Sequence, residues 1–164
     1  SGTEITNSEI IWSTTGPTWN GTYRQLMNGD DRCIFAVMTN GANNILEFFH
    51  TGDWVWFADV LTFQSAVDID DAWTDISAIS MPAFATEAIC TFVYGAAGQD
   101  WRWRTNGQTG TVGHDIGYLS DPYNFNLPTR VISDSNQIIE VIALTSSAAT
   151  ITGKVDAWAF PIGI

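Results

Sequence analysis

The sequence predicts an all-β protein, and three observations carry that expectation. Apolar and polar residues alternate with a period of two in several separate stretches, which is the period of a strand. Those stretches are bounded by turn residues, among them Asn40-Gly41 and Asn106-Gly107, pairs in which both residues accept positive φ. No segment shows sustained helical periodicity. About eight to ten strands with turns at regular spacing give an antiparallel sandwich or barrel.

Composition sets the outer limits. A chain of 164 residues fits one domain, and a domain of that size buries roughly 70% of the surface its unfolded chain exposes, so no disulfide or metal staple is required. Eighteen acids against six bases give a net charge of −12, which repels phosphate backbones and anionic lipid. Nucleic-acid and membrane-surface roles are therefore not expected. No apolar stretch approaches the roughly 20 residues that cross a bilayer, and the first residues carry no signal-peptide pattern.

Taken in order, residues 1–20 are polar apart from Ile10, Ile11 and Trp12 and read as an extended N-terminal arm. Such an arm, anchored by its aromatic, either folds back onto its own domain or reaches a neighbouring subunit. Residues 21–164 then form the single β-domain. Residues 33–38 and 45–49 are expected to pair as a hairpin across Asn40-Gly41. Residues 54–63 make a long strand, with Trp54, Trp56, Ala58 and Val60 opposed to Val55, Phe57, Asp59 and Leu61. The acidic segment 68–75 reads as a short helical turn or a solvated loop.

The centre of the chain is the stretch 82–107. Between residues 84 and 94 both alternating faces are mostly apolar, as expected for a strand covered on both sides. In the strand that follows, Trp101 and Trp103 share one face and Arg102 and Arg104 the other. Residues 108–127 are loop-rich, with a short strand-like piece at 116–119, and a connection of that length is more often functional or inter-subunit than idle. Strands at 137–145 and 150–160 close the chain.

Few residues suggest chemistry. Cys33 and Cys90 sit in apolar runs, where a free thiol behaves as a small hydrophobe, although a bridge between them depends on geometry alone. His50 and His114 stand in unrelated settings and no His/Cys cluster has zinc spacing, so no metal site or cofactor is expected. Asp30 with Asp31, or Asp68 with Asp70 and Asp71, offer calcium-type oxygens without the calcium-loop pattern and read as solvated acids. No nucleophile elbow or phosphate loop is present, and no catalytic residue is assigned.

Glu87 and Glu140 interrupt apolar strands, where a carboxylate is costly unless paired or solvated. Facing each other on one concave sheet they would suit glycoside hydrolysis, which needs two carboxyl groups roughly 5 to 9.5 Å apart. The favoured reading is a structural ion pair with Arg102 or Arg104. The tryptophans offer a third possibility, because sugars stack on exposed indoles. Trp54 with Trp56, or Trp101 with Trp103, form such a platform if exposed, and core or subunit interface if buried.

From about residue 73 to 160 the features follow a recognisable order. An acidic lead-in (AWTDIS) precedes a Pro and small residues entering a long apolar strand (MPAFATEAICTFVYG). An Arg-bearing strand and turn (WRWRTNG), a Gly-rich loop, a strand pair (NQIIEVIALTSSAATITGKV) and an aromatic strand (DAWAF) come next. This resembles the small jelly-roll domains of phage and other viral structural proteins, including those at fibre ends and capsid surfaces. The resemblance implies an antiparallel jelly-roll β-sandwich, frequently trimeric, with structural or host-attachment duties and no catalysis. Its implied partners are further copies of the chain, other virion proteins and a host glycan, and its implied location is the virion, with a secreted protein as the alternative. The chain departs from the pattern in having neither a heptad stem nor Gly-X-Y triplets, and its first 70 residues lie outside the match. The first expectation is thus a non-enzymatic virion structural subunit that self-assembles through its sandwich and arm. A carbohydrate-binding module or receptor-binding lectin is the second, and a small secreted glycoside hydrolase built on Glu87 and Glu140 the third.

Overall fold

Alternating patterning becomes pairing in the computed structural model, which describes residues 11–95, 99–119, 128–144 and 149–160, with 99 and 117–119 described by backbone alone. The strands are β1 (Thr18–Asn20), β2 (Gln25–Asn28), β3 (Asp31–Arg32), β4 (Phe48–Thr51), β5 (Trp54–Ile69) and β6 (Thr74–Asp75). They continue with β7 (Glu87–Tyr94), β8 (Gln99–Thr105), β9 (His114–Leu119), β10 (Pro128–Ile132), β11 (Ile139–Ala143) and β12 (Ala149–Ala159). Every strand pairing is antiparallel, and no helix occurs among the described residues.

The pairing is nested. β8 pairs with β9, β7 with β10, β6 with β11 and β5 with β12, so the chain from β5 to β12 is one long hairpin whose arms meet from the inside outward. Bends in both arms divide that hairpin into two sheets, ordered β10-β7-β12-β5-β4 and β6-β11-β8-β9. A third, small sheet, β1-β2-β3, precedes them.

The inner faces of the two large sheets share one hydrophobic cluster. From the first come Val55, Ala88, Cys90, Phe92, Ile151, Val155 and Trp158, and from the second Trp101, Trp103, Val141 and Ile139. Tyr94 of one sheet lies against Trp101 of the other, with ring centroids 4.9 Å apart. Burial of each large side chain contributes about 1.5–3 kcal/mol, and close packing sets the local backbone too. Gly153 sits where the β5–β12 register shifts, and a Cβ there would lie 2.5 Å from the Phe63 ring. Glycine is therefore required for the strand to pass under that ring.

Several sequence expectations need correction. Residues 33–38 do not form a strand. Cys33, Phe35, Ala36 and Met38 all pack against the core, a pattern without alternation, and the segment covers the core with a single bridge between Thr39 and Ile45. The hairpin lies later, where β4 pairs with Trp54–Phe57 of β5. The acidic stretch 68–75 holds no helical turn; β5 runs on to Ile69 and β6 starts at Thr74, and the solvated loop, the other expected form, is confined to residues 70–73 between them. β7 is buried on one face only. Ala88, Cys90, Phe92 and Tyr94 face the core, whereas Glu87, Ile89, Thr91 and Val93 are half-buried on the outside of the sheet. Cys33 and Cys90 are free thiols, and burial pushes both above their ordinary ionisation range.

Candidate functional site

Antiparallel register places one residue from each strand side by side on each face of the five-stranded sheet. The core-facing row reads His50, Val55, Trp158, Ala88 and Val131. The adjacent row, on the opposite face, reads Phe49, Trp56, Ala157, Ile89 and Arg130. Beside it on that outer face lie Thr51, Trp54 and Ala159, with Glu87 opposite Ile132 on the far strands. Period-two alternation of Trp54 and Trp56 against the buried Val55 and Phe57 thus projects both indoles outward.

The outer face is ordered. Trp56 donates its Nε1–H to Thr51 Oγ1 at 3.1 Å, and its ring is parallel to that of Phe49 within 3°, with centroids 6.0 Å apart. Phe49 itself is 53% exposed. Arg130 pairs through Nε with Glu87 Oε1, and its guanidinium carbon stands 5.9 Å from the centre of the Trp54 ring, at the outer limit of a cation–π contact. The Glu87 partnership holds the Arg130 guanidinium in its charged form, first by hydrogen bonding and then by charge. Alanine at 157 and 159 keeps the neighbouring strand low beside the indoles.

The outer face of the four-stranded sheet is built differently. Arg104 makes a bidentate pair with Glu140, at 2.7 and 2.9 Å, and donates to the Gly110 carbonyl at 2.9 Å. Its guanidinium lies 4.3 Å over the ring of Trp73. Arg102 pairs with Asp100 at 2.8 Å, donates to the Val112 carbonyl at 3.2 Å and lies 3.1 Å from Asp115. These contacts pin the loop after β8 onto the sheet. Both arginines are thereby engaged in ion pairs and carbonyl contacts within the fold, although Arg102 Nε, which faces Asp115, makes no hydrogen bond.

The structure separates residues that the sequence grouped together. Trp101 is fully buried and Trp103 nearly so, the first tilted against Tyr94 and the second stacked on His114, so this pair forms core and offers no platform for a sugar. Glu87 and Glu140 belong to different sheets, and each lies between core-facing neighbours and so projects outward, away from the other. The convergent carboxyl pair that glycoside hydrolysis requires is not formed. Glu140 has Arg104 as its partner, but the partner of Glu87 is Arg130 and not a hairpin arginine. Among the described residues no group of three His, Cys, Asp or Glu side chains is placed to hold a metal ion.

Ile10 of the arm lies outside the described residues. Ile11 and Trp12 are exposed, and so are Trp19, Tyr23, Ile34 and Ile45 further along. The arm as expected, residues 1–20, also includes β1, which pairs with β2. Arg130 and Phe49 were missed by sequence reasoning. Arg130 follows a loop-rich stretch whose short strand has a single buried residue, Val131, and only its register reveals it as a neighbour of the indoles. The signal for Phe49 was present, in its position two residues from the Thr51-Gly52 turn, opposite Trp56. No protein-family model matches the chain, and no curated protein or solved structure matches it either.

Proposed function

We propose that this chain is a non-enzymatic jelly-roll subunit that works by assembly and attachment, in the manner of the phage and viral structural domains it resembles. The nested order of pairing supports the jelly-roll reading. Eight strands, β5 to β12, fall in the orders β10-β7-β12-β5 and β6-β11-β8-β9, as expected for a two-sheet roll of Greek keys in which the last strand enters beside the first.

The observation that carries the assembly reading is the apolar surface of residues 11–45. Ile11, Trp12, Trp19, Tyr23, Ile34 and Ile45 are all exposed within one segment, and Trp12 is 78% exposed. A lone exposed apolar side chain is ordinary, but six in one segment suit a surface covered by another copy. Charge favours the same region. Residues 11–49 carry Arg24 and Arg32 against Asp30, Asp31 and Glu47, and are nearly neutral in a chain of net charge −12. By contrast, residues 50–76 carry six aspartates and no Lys or Arg, which would repel a like neighbour.

The test is the solution mass by light scattering at low micromolar concentration and again after dilution. A trimer or larger assembly that dissociates when Trp12 and Trp19 are changed to Ser is expected. A monomer under both conditions refutes the reading.

A further inference from the structure

A second surface is left over once assembly is assigned to residues 11–45. We propose that the outer face of the five-stranded sheet, centred on Trp56, Phe49 and Trp54, binds a neutral oligosaccharide. This inference does not depend on the assembly reading.

The argument begins with what the face would be if it served only structure. Structural aromatics on a strand are buried, as Trp101 and Trp158 are in the same protein. Phe49 is instead exposed, and Trp54 and Trp56 are only partly covered. The Trp56 indole is nevertheless fixed. Trp56 is held at its Nε1 by Thr51 and along its ring by Phe49, and Trp54 lies beneath the guanidinium of an Arg130 that Glu87 holds in turn. Rings fixed before binding lose little rotamer freedom when a ligand arrives, which is the condition for recognition by a flat apolar surface.

The chemistry of the face selects its occupant. A pyranose has apolar C–H faces that stack on an aromatic ring, and a rim of hydroxyls that both donate and accept hydrogen bonds. Here the aromatic row is bordered by a guanidinium, which only donates, and a carboxylate, which only accepts. The two charges offset each other, as do Lys154 and Asp156 beside Thr91 on the same face, so these four groups carry no net charge. The chain around it carries a net charge of −12, which disfavours sulfated or uronic glycans and a second copy of this acidic domain on the same face. A neutral sugar meets no such penalty. Trp54 and Trp56 lie two residues apart on one strand, about 6.5 Å by strand rise, and so present successive rings to successive sugar units.

The experiment titrates the intact protein with neutral hexasaccharides of glucose, xylose, mannose and N-acetylglucosamine, and with an oligouronate of equal length, by calorimetry and tryptophan fluorescence. At least one neutral oligomer is expected to bind and to perturb the indole emission, with the oligouronate at least tenfold weaker. Trp56→Ala and Phe49→Ser should each weaken binding tenfold or more, Glu87→Gln should weaken it less, and Trp12→Ser should leave it unchanged. Phe49→Ser removes an exposed ring and keeps the fold, which thermal denaturation verifies, so a folding failure of Trp56→Ala does not decide the matter. The proposal is overturned if no neutral oligomer binds at about 1 mM, the weak end of specific affinity. It is overturned equally if binding survives Phe49→Ser, or if changes on this face alter the solution mass instead of sugar binding.

Discussion

Trp101 separates the core reading of the tryptophans from the surface reading most sharply. Its indole is 0% exposed and packs at a tilt against Tyr94 across the two sheets, yet its Nε1–H has no hydrogen-bond partner. Truncation to Ala removes a large buried ring, at a cost of about 3–5 kcal/mol. It also removes an unpaired buried donor, whose desolvation costs about 1–3 kcal/mol. Taking the middle of both ranges, the net loss is about 2 kcal/mol, which in a domain of 150–250 residues lowers Tm by roughly 4–8 °C. Trp101→Phe keeps most of the ring and deletes the orphaned N–H, so the two effects offset and stability should stay within about 1 kcal/mol of the parent. Urea titration followed by far-UV circular dichroism gives both numbers with one reporter. If Phe is as damaging as Ala, the indole nitrogen has a partner and the packing described for the two sheets is wrong. If Ala is harmless, Trp101 is not core.

Two further predictions test the outer face of the four-stranded sheet and the turn beside β11. Gly113 has φ of +67°, and a Cβ there would lie 2.4 Å from Trp73 Cη2 and 2.9 Å from the Trp103 carbonyl oxygen; Gly113→Val should cost about 1–3 kcal/mol in thermal unfolding, while Gly110→Ala, which meets open space, should cost far less. The Asp134 carboxyl is held below its ordinary range, first by the Ile138 N–H and also by Asn106 and the Asn136 N–H. Because the folded value is the lower one, its stabilisation is complete above the ordinary carboxylate range and disappears as pH falls through the folded value. Asp134→Asn should therefore be less stable than the parent at pH 7 and converge with it below about pH 4, and a gap that persists unchanged to pH 2 would refute the assignment.

The sequence made the β class legible because alternation is a local property. Val55 and Phe57 against Trp54 and Trp56, or the alternation of β12, can be read without knowing any partner strand. What lay beyond reach was which strands become neighbours. Arg130 and Glu87 are 43 residues apart and meet only because β10 lies beside β7. Exposure was equally hidden. The pairs Trp54/Trp56 and Trp101/Trp103 have the same spacing and look alike in one dimension, yet one faces outward and the other fills the core. The difference arises from the second sheet, which covers only one face of the first. Residues 33–38 misled for a related reason. A run that is apolar at every position fits a strand, but it also fits an irregular segment laid flat on a core, and here the latter prevails.

Nested pairing also governs the order in which the molecule can come into being. β12, the last strand described, lies between β5 and β7 in the middle of the larger sheet. On a ribosome, β5 is complete about 80 residues before β12 begins, which at 5–20 residues per second is roughly 4–16 s. Throughout that interval Val55 and Ile69 lack the strand that will cover their flank, and β7 lacks the partner for one of its edges. Local hairpins such as β8–β9 can close early, but the larger sheet cannot. Folding of this domain is thereby tied to the arrival of its final strand, and a nascent chain stalled before residue 149 is an open sheet with two sticky edges.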